Sequence, residues 1–145
     1  RVWPNDLDTN AHMNNGRYLT LMDLGRFDLM TQCGLVGVVL RQRWFPIAGG
    51  VMVRFERPLH AFEKITLKSS ILGWDDKWLY FRHDILTGDT RAARATTRGL
   101  FRTRGQSVPT ADLLDAMNYD GAPMPPPDSV RQWVRADELM RGEDE

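Results

Sequence analysis

The sequence predicts an α+β domain in which one long helix packs against an antiparallel sheet. Residues Asn14 to Gly34 place apolar side chains around most of a helical circumference. After Trp44 the hydrophobic period changes to two. The period-two runs are joined by short, turn-rich links, which favour antiparallel pairing of consecutive strands.

Each element has its own local reason. Asn14 or Asn15 can cap the helix and Gly34 can stop it. Tyr18, Leu19, Leu21, Met22, Leu24, Phe27, Leu29 and Met30 leave no clear polar face, so burial on several sides is expected. Gly25 costs about 1 kcal/mol relative to alanine in mid-helix, and close packing against another backbone explains it. Four strands follow. Val51, Val53 and Phe55 mark the first, Ile65, Leu67 and Ile71 the second. Leu79, Phe81 and Ile85 mark the third, and Ala93, Ala95, Thr97, Gly99 and Phe101 the fourth. A short strand at Arg1–Trp3 is expected to join an edge. A sheet wrapped around the helix would account for its all-round apolarity. This unit is expected to span 1–106. A helical extension, 107–145, then holds a short helix from Thr110 to Met117 and a stiff Pro125–Pro127 breaker. A last helix runs from Asp128 to about Met140, before a charged tail, Arg141 to Glu145.

Composition narrows the function classes. The 145 residues suffice for one sizeable core. Nineteen basic and nineteen acidic residues give no net charge, which argues against a general nucleic-acid binder. The single cysteine forms no internal disulfide and anchors no thiolate metal cluster. No apolar run has the length of a membrane span and no signal-peptide pattern opens the chain, so a cytoplasmic protein is expected.

The densest polar cluster is Asp6, Asp8, Asn10, His12, Asn14 and Asn15, immediately before the helix. Three readings compete. A calcium loop fits Asp6-x-Asp8-x-Asn10, but Ala11 stands where the sharp-turn glycine belongs and Arg17 where the closing glutamate belongs. A structural reading has Asp6 in a turn and Asn14 as cap. In an active-site reading, the helix-start N–H groups of Asn14, Asn15 and Gly16 sit beside a carboxylate and an imidazole, ready to stabilise an oxyanion. Asp8 is then a general base on water or a nucleophile, and Asn10 and His12 orient water or substrate. The chemistry indicated is attack on a polarised carbonyl.

The run Asp6-Leu7-Asp8-Thr9-Asn10-Ala11-His12-Met13-Asn14-Asn15-Gly16-Arg17-Tyr18 resembles the signature of hotdog-fold thioesterases. It is shared by relatives of 4-hydroxybenzoyl-CoA thioesterase and by plant acyl-ACP thioesterases. The continuation Leu21-Met22-Asp23-Leu24-Gly25-Arg26 is most similar to the thioesterase-superfamily-member-6-type group. The resemblance covers about residues 1 to 105. It implies a hotdog fold, an antiparallel sheet wrapped around a long central helix. It also implies a homodimer or homotetramer with active sites at the interface, and a place in lipid metabolism. The implied reaction is hydrolysis of acyl-CoA or acyl-ACP thioesters, with no metal and no cofactor beyond the CoA or carrier protein of the substrate. Asp8 matches the catalytic aspartate, and Asn10 and His12 match the asparagine and histidine of the plant enzymes. The chain departs from those enzymes downstream, where Pro58 stands near the position of a further functional glutamate and Glu56 is the nearest acid.

Secondary features are read more plainly. Arg94, Arg98, Arg102 and Arg104 share a strand face that is either a solvated outer surface or, for Arg94 and Arg98, a site for CoA phosphates. Trp44, Pro46, Gly49 and Gly50 lie either in an ordinary loop or where a substrate chain approaches the backbone. His60 and His83 read as structural or exposed, and Asp23 with Arg26 as a helix-surface pair. The sequence thus favours an acyl-thioester hydrolase. A non-catalytic acyl-thioester-binding or regulatory protein is the alternative, and a hydratase-type hotdog protein fits the Asp8–Asn10–His12 spacing less well.

Overall fold

The computed structural model describes residues 1–142. A 3₁₀ turn at Pro4–Asp6 leads to α1 (Asn15–Gln32), α2 (Leu35–Gln42) and β1 (Phe45–Phe55). Three strands follow, β2 (Thr66–Trp74), β3 (Leu79–Thr87) and β4 (Thr90–Thr103), then a short β5 (Gln106–Val108). The chain ends in α3 (Thr110–Ala116) and α4 (Asp128–Gly142). Of the expected charged tail, residues 143–145 lie outside the described residues.

α1 begins where expected: Asn14 caps it, its side chain accepting the Gly16 N–H at 2.8 Å. Gly34, at φ 78°, ends that helix and also starts α2, which the sequence reading missed. Gly37 and the β-branched Val36, Val38 and Val39 have weak helix propensity, yet Leu35, Val38 and Val39 fall at helical spacing and are buried. Gly25 serves close packing, though against side chains rather than another backbone: a Cβ there would lie 2.4 Å from Ser69 Oγ and 2.5 Å from a Leu67 methyl on β2.

The sheet order is β1-β4-β3-β2, all antiparallel, with β5 also pairing β4. β2, β3 and β4 pair consecutively as the short turns predict. β1 does not pair β2; it pairs β4 along its length. The link 56–65 instead crosses the end of the sheet, about 14 Å over three strand spacings. It is held there by the Glu56 and Arg57 amides on Ala92 O. The N-terminus forms no edge strand: Val2 exchanges backbone bonds with this link, donating to Glu63 O and accepting from Phe62 N. Pro46, Gly49 and Gly50 belong to β1 rather than to a loop. An edge strand accommodates the proline, and a bulge between Ala48 and Gly50 accommodates the glycines.

Two apolar clusters join helices to the inner sheet face. Met13, Tyr18 and Met22 meet Leu59, Ile85 and Ala93 at one end. Met30, Leu35 and Val39 meet Phe81, Phe101 and Leu113 at the other. α1 lies mainly over β2 and β3 and meets β1 at its end, where Tyr18 packs on Phe55, so most of β1 stays exposed. The expected all-round burial is therefore not met within one chain: Leu24 is 62% and Phe27 60% exposed.

The C-terminal extension shares this body. Val108 and Leu113 are in the inner core. The segment after α3 then rounds the β2 edge, where Trp74 N–H donates to Met124 O at 2.9 Å. α4 settles on the outer face, with Val130 fully buried. Among the described residues no helix is long and apolar enough to cross a membrane.

Candidate active site

The Asp6-to-Tyr18 motif folds into a narrow loop and a helix start. Leu7 and Met13 form an isolated antiparallel bridge. One step outward, Asp8 N–H donates to His12 O at 2.8 Å. Residues directly opposed in such a pair project to the same side, and their neighbours to the other. Leu7 and Met13 pack on the core, so Asp8 and His12 share the outward side. Ala11 closes the turn with its N–H on Asp8 O and holds φ at 58°, a left-handed conformation costly for alanine. Asp8 Oδ1 accepts the Asn10 amide at 2.8 Å. The structure thus brings Asp8, Asn10 and His12 into one loop.

Asp6 does different work. Its buried carboxylate accepts from Trp3 N at 2.8 Å and from Arg17 Nε at 2.7 Å, tying the first turn to α1. Arg17 therefore closes an ion pair rather than a cation loop. Among the described residues no group of three or more His, Cys, Asp or Glu could hold a metal ion.

The three helix-start residues are not equivalent. Asn14 N–H donates to Asp6 O at 2.8 Å, and Gly16 N–H is taken by the Asn14 side chain at 2.8 Å. Of these amides, Asn15 N–H alone has no partner among the described residues.

Two residues named in the sequence reading, but not as neighbours of this loop, lie beside it. His60, on the crossing link, sets its ring edge-to-face on His12 at 4.9 Å between centroids. Tyr18 is buried in one cluster with Leu59 of the same link; burial pushes its phenol pKa up and Glu63 adds to the shift. Met13 N–H on Leu59 O, 2.8 Å, fastens the loop to the same link. Nothing local in the sequence reports these contacts, because the link reaches the loop only through the crossover of β1 and β2. Glu56 forms ion pairs with Arg91 at 2.9 Å and Arg54 at 3.8 Å, so the nearest downstream acid is spent elsewhere.

Arg94 and Arg98 do not join this site. Arg94 lies on the outer sheet face and grips both Asp84 oxygens, at 2.7 and 3.0 Å. Arg98, 2% exposed, is enclosed by α4, where it pairs with Asp137 at 2.7 Å. Its guanidinium lies 4.8 Å from the Trp78 ring centroid and 5.3 Å from that of Trp133. What approaches Gly49 closely is also Trp78, whose ring a Cβ there would meet at 2.1 Å.

An open cleft of about 590 Å³ runs between the C-terminal half of α1, α2 and the first residues of β1. Phe27, Met30, Val39, Trp44 and Phe81 line it, and Asp23 and Arg26 stand in its wall.

The profile of the thioesterase-like superfamily matches residues 2–134. The chain belongs to this superfamily. It is 27% identical to the THEM6 protein of Drosophila melanogaster over 131 residues, covering 88% of this chain and 65% of that protein. It is 37% identical to THEM6 of Xenopus laevis over 79 residues, covering 54% of this chain and 38% of that one. The chain therefore spans less than two thirds of the length of these relatives. The structure of 4-hydroxybenzoyl CoA thioesterase from Pseudomonas sp. strain CBS-3 superposes with a TM-score of 0.68 at 17% identity, covering 80% of this chain and 94% of that one. The fold is the hotdog fold that the motif implied, and the superfamily match extends well past residue 106 into α4.

Proposed function

We propose that this chain hydrolyses an acyl thioester, carried by CoA or by acyl carrier protein, to the free acid and thiol. The observation that carries the reading is the opposed pair Asp8 and His12, side by side on the loop that feeds α1, in a chain of the thioesterase-like superfamily. Asp8 takes a proton from water as the water oxygen adds to the thioester carbonyl. The oxyanion faces the start of α1, where the Asn15 N–H and the positive end of the helix dipole stabilise it. Collapse expels the thiolate, which takes up the proton. Asn10 and His12 orient water and substrate. In the variant route the Asp8 carboxylate attacks directly and water opens the resulting anhydride.

The active unit in this reading is a homodimer. β1 is an edge strand, and Phe45, Ile47, Val51, Met52 and Phe55 are exposed along it. A second copy would cover both this edge and the bare Phe27 flank of α1, placing wall residues of one subunit near Asp8 of the other.

A thiol-release assay over a panel of acyl-CoA and acyl-carrier-protein thioesters tests the reaction, and light scattering tests the assembly. Turnover by a dimer is expected. Tight binding of the panel without thiol release would make the chain a non-catalytic acyl-thioester binder. An active, stably folded monomer at micromolar concentration would overturn the shared site.

A further inference from the structure

Beneath α1 lies a line of polar groups that the loop chemistry does not use. His83 is fully buried on the inner face of β3. Its Nδ1 is 2.8 Å from Ser69 Oγ on β2, and its Nε2 is 3.3 Å from Thr97 Oγ1 on β4. Thr97 Oγ1 in turn meets Arg26 Nη1 at 3.4 Å. Arg26 Nη2 donates to Asp23 Oδ1 at 2.5 Å.

A guanidinium only donates, so Thr97 Oγ1 accepts from Arg26 Nη1, and that oxygen and Ser69 Oγ flank the two ring nitrogens of His83. His83 is neutral: burial pushes its pKa down to about 4, and the Arg26 charge adds to the shift. A buried polar line of this kind has high cost if any member is unsatisfied and rigidifies its members when all are paired. Here it fixes the guanidinium of Arg26 from behind, and Asp23 fixes it from the side.

Arg26 is 17% exposed and stands in the wall of the apolar cleft. Two of its five N–H groups are engaged by Asp23 and Thr97. Asp23, 67% exposed, neutralises the charge at close range. A second carboxylate in the cleft would meet that aspartate, whereas a hydroxyl or carbonyl oxygen would meet unspent donors without repulsion.

We infer that Arg26 is a specificity residue of the cleft, selecting acyl groups that carry a neutral oxygen, a hydroxyl or carbonyl, on an otherwise apolar body, with Thr97 and His83 as its positioning residues. The inference rests on the acyl-thioester reading. It gives the mid-helix polar pair a purpose that surface pairing does not, because a solvent-facing pair needs no buried support from three strands.

The test is binding of non-hydrolysable thioether analogues of CoA, so that hydrolysis does not enter. Analogues with decyl, 3-hydroxydecyl and ω-hydroxydecyl chains are titrated by calorimetry. At least one hydroxylated chain is expected to bind about tenfold tighter than decyl, which is about 1.4 kcal/mol. Arg26→Met should bring the chains to parity. Thr97→Val should weaken the preference while Thr97→Ser keeps it, a contrast that a purely structural role would not make between these ligands. Equal binding of all three chains to the wild-type protein overturns the inference and leaves thioester binding standing. A preference that survives both Arg26→Met and Thr97→Val also overturns it. Failure of all three to bind overturns the inference together with the acyl-thioester reading.

Discussion

The Asp8–His12 loop and the outer-face arginine row are both dense in polar residues, and they meet opposite fates. On the outer face three arginines are spent on carboxylates. Arg94 holds Asp84, Arg91 holds Glu56, and Arg98 holds Asp137 between two tryptophans. In the loop, Asp8 is engaged by its own backbone turn, and His12 meets a second imidazole rather than a counter-charge. Density of charge therefore does not locate chemistry in this molecule. What separates the two regions is whether the charged groups meet opposite charges from elsewhere in the fold.

The largest effect is expected at Arg98. Arg98→Ala removes a cation packed between Trp78 and Trp133, and should lower stability by about 2–4 kcal/mol in urea unfolding. Full stability would mean that α4 does not depend on this contact. A pH titration sharpens the point. Arg98, with Arg141 adding, holds the Asp137 carboxyl below its ordinary pKa. A carboxylate depressed in the folded state stabilises above its unfolded pKa of about 4, and that contribution is lost as pH falls from there through the lower folded-state value. Asp137→Asn should therefore flatten the acid limb of stability against pH, and an unchanged limb would contradict the pair. The smallest effect belongs to Arg94→Ala. Its bonds to Asp84 are half exposed, so less than about 1 kcal/mol is expected, with no change in KM for acyl-CoA. A rise in KM confined to CoA thioesters would return Arg94 to phosphate binding.

The same contrast explains what the sequence disclosed. α1, its Asn14 cap, the role of Gly25, the strand pattern of β2 to β4 and the final helix rest on local signals: cap chemistry, periodicity, turn residues. The Asp8-Asn10-His12 set was legible because one short loop holds it. Long-range facts were not legible. β1 reads as a strand from Val51 onward, but nothing local says that it pairs β4. Gly49 reads as part of a loop or as room for a substrate chain, when the indole of Trp78, distant in sequence, needs the space. His83 reads as an isolated residue because Ser69 and Thr97 reach it only across the sheet. α2 was hidden by β-branched residues and Gly37, whose weak propensity is overridden by burial.

The most direct measurement is thiol release and thermal unfolding recorded together on Asp8→Asn and Arg98→Ala, each against the wild-type protein. Asp8→Asn should keep its melting temperature and lose kcat by about 10²-fold or more, whereas Arg98→Ala should melt earlier and retain turnover below its transition. A folded Asp8→Asn protein with near wild-type kcat would contradict the account, because the loop would then be structure and the chemistry would lie elsewhere.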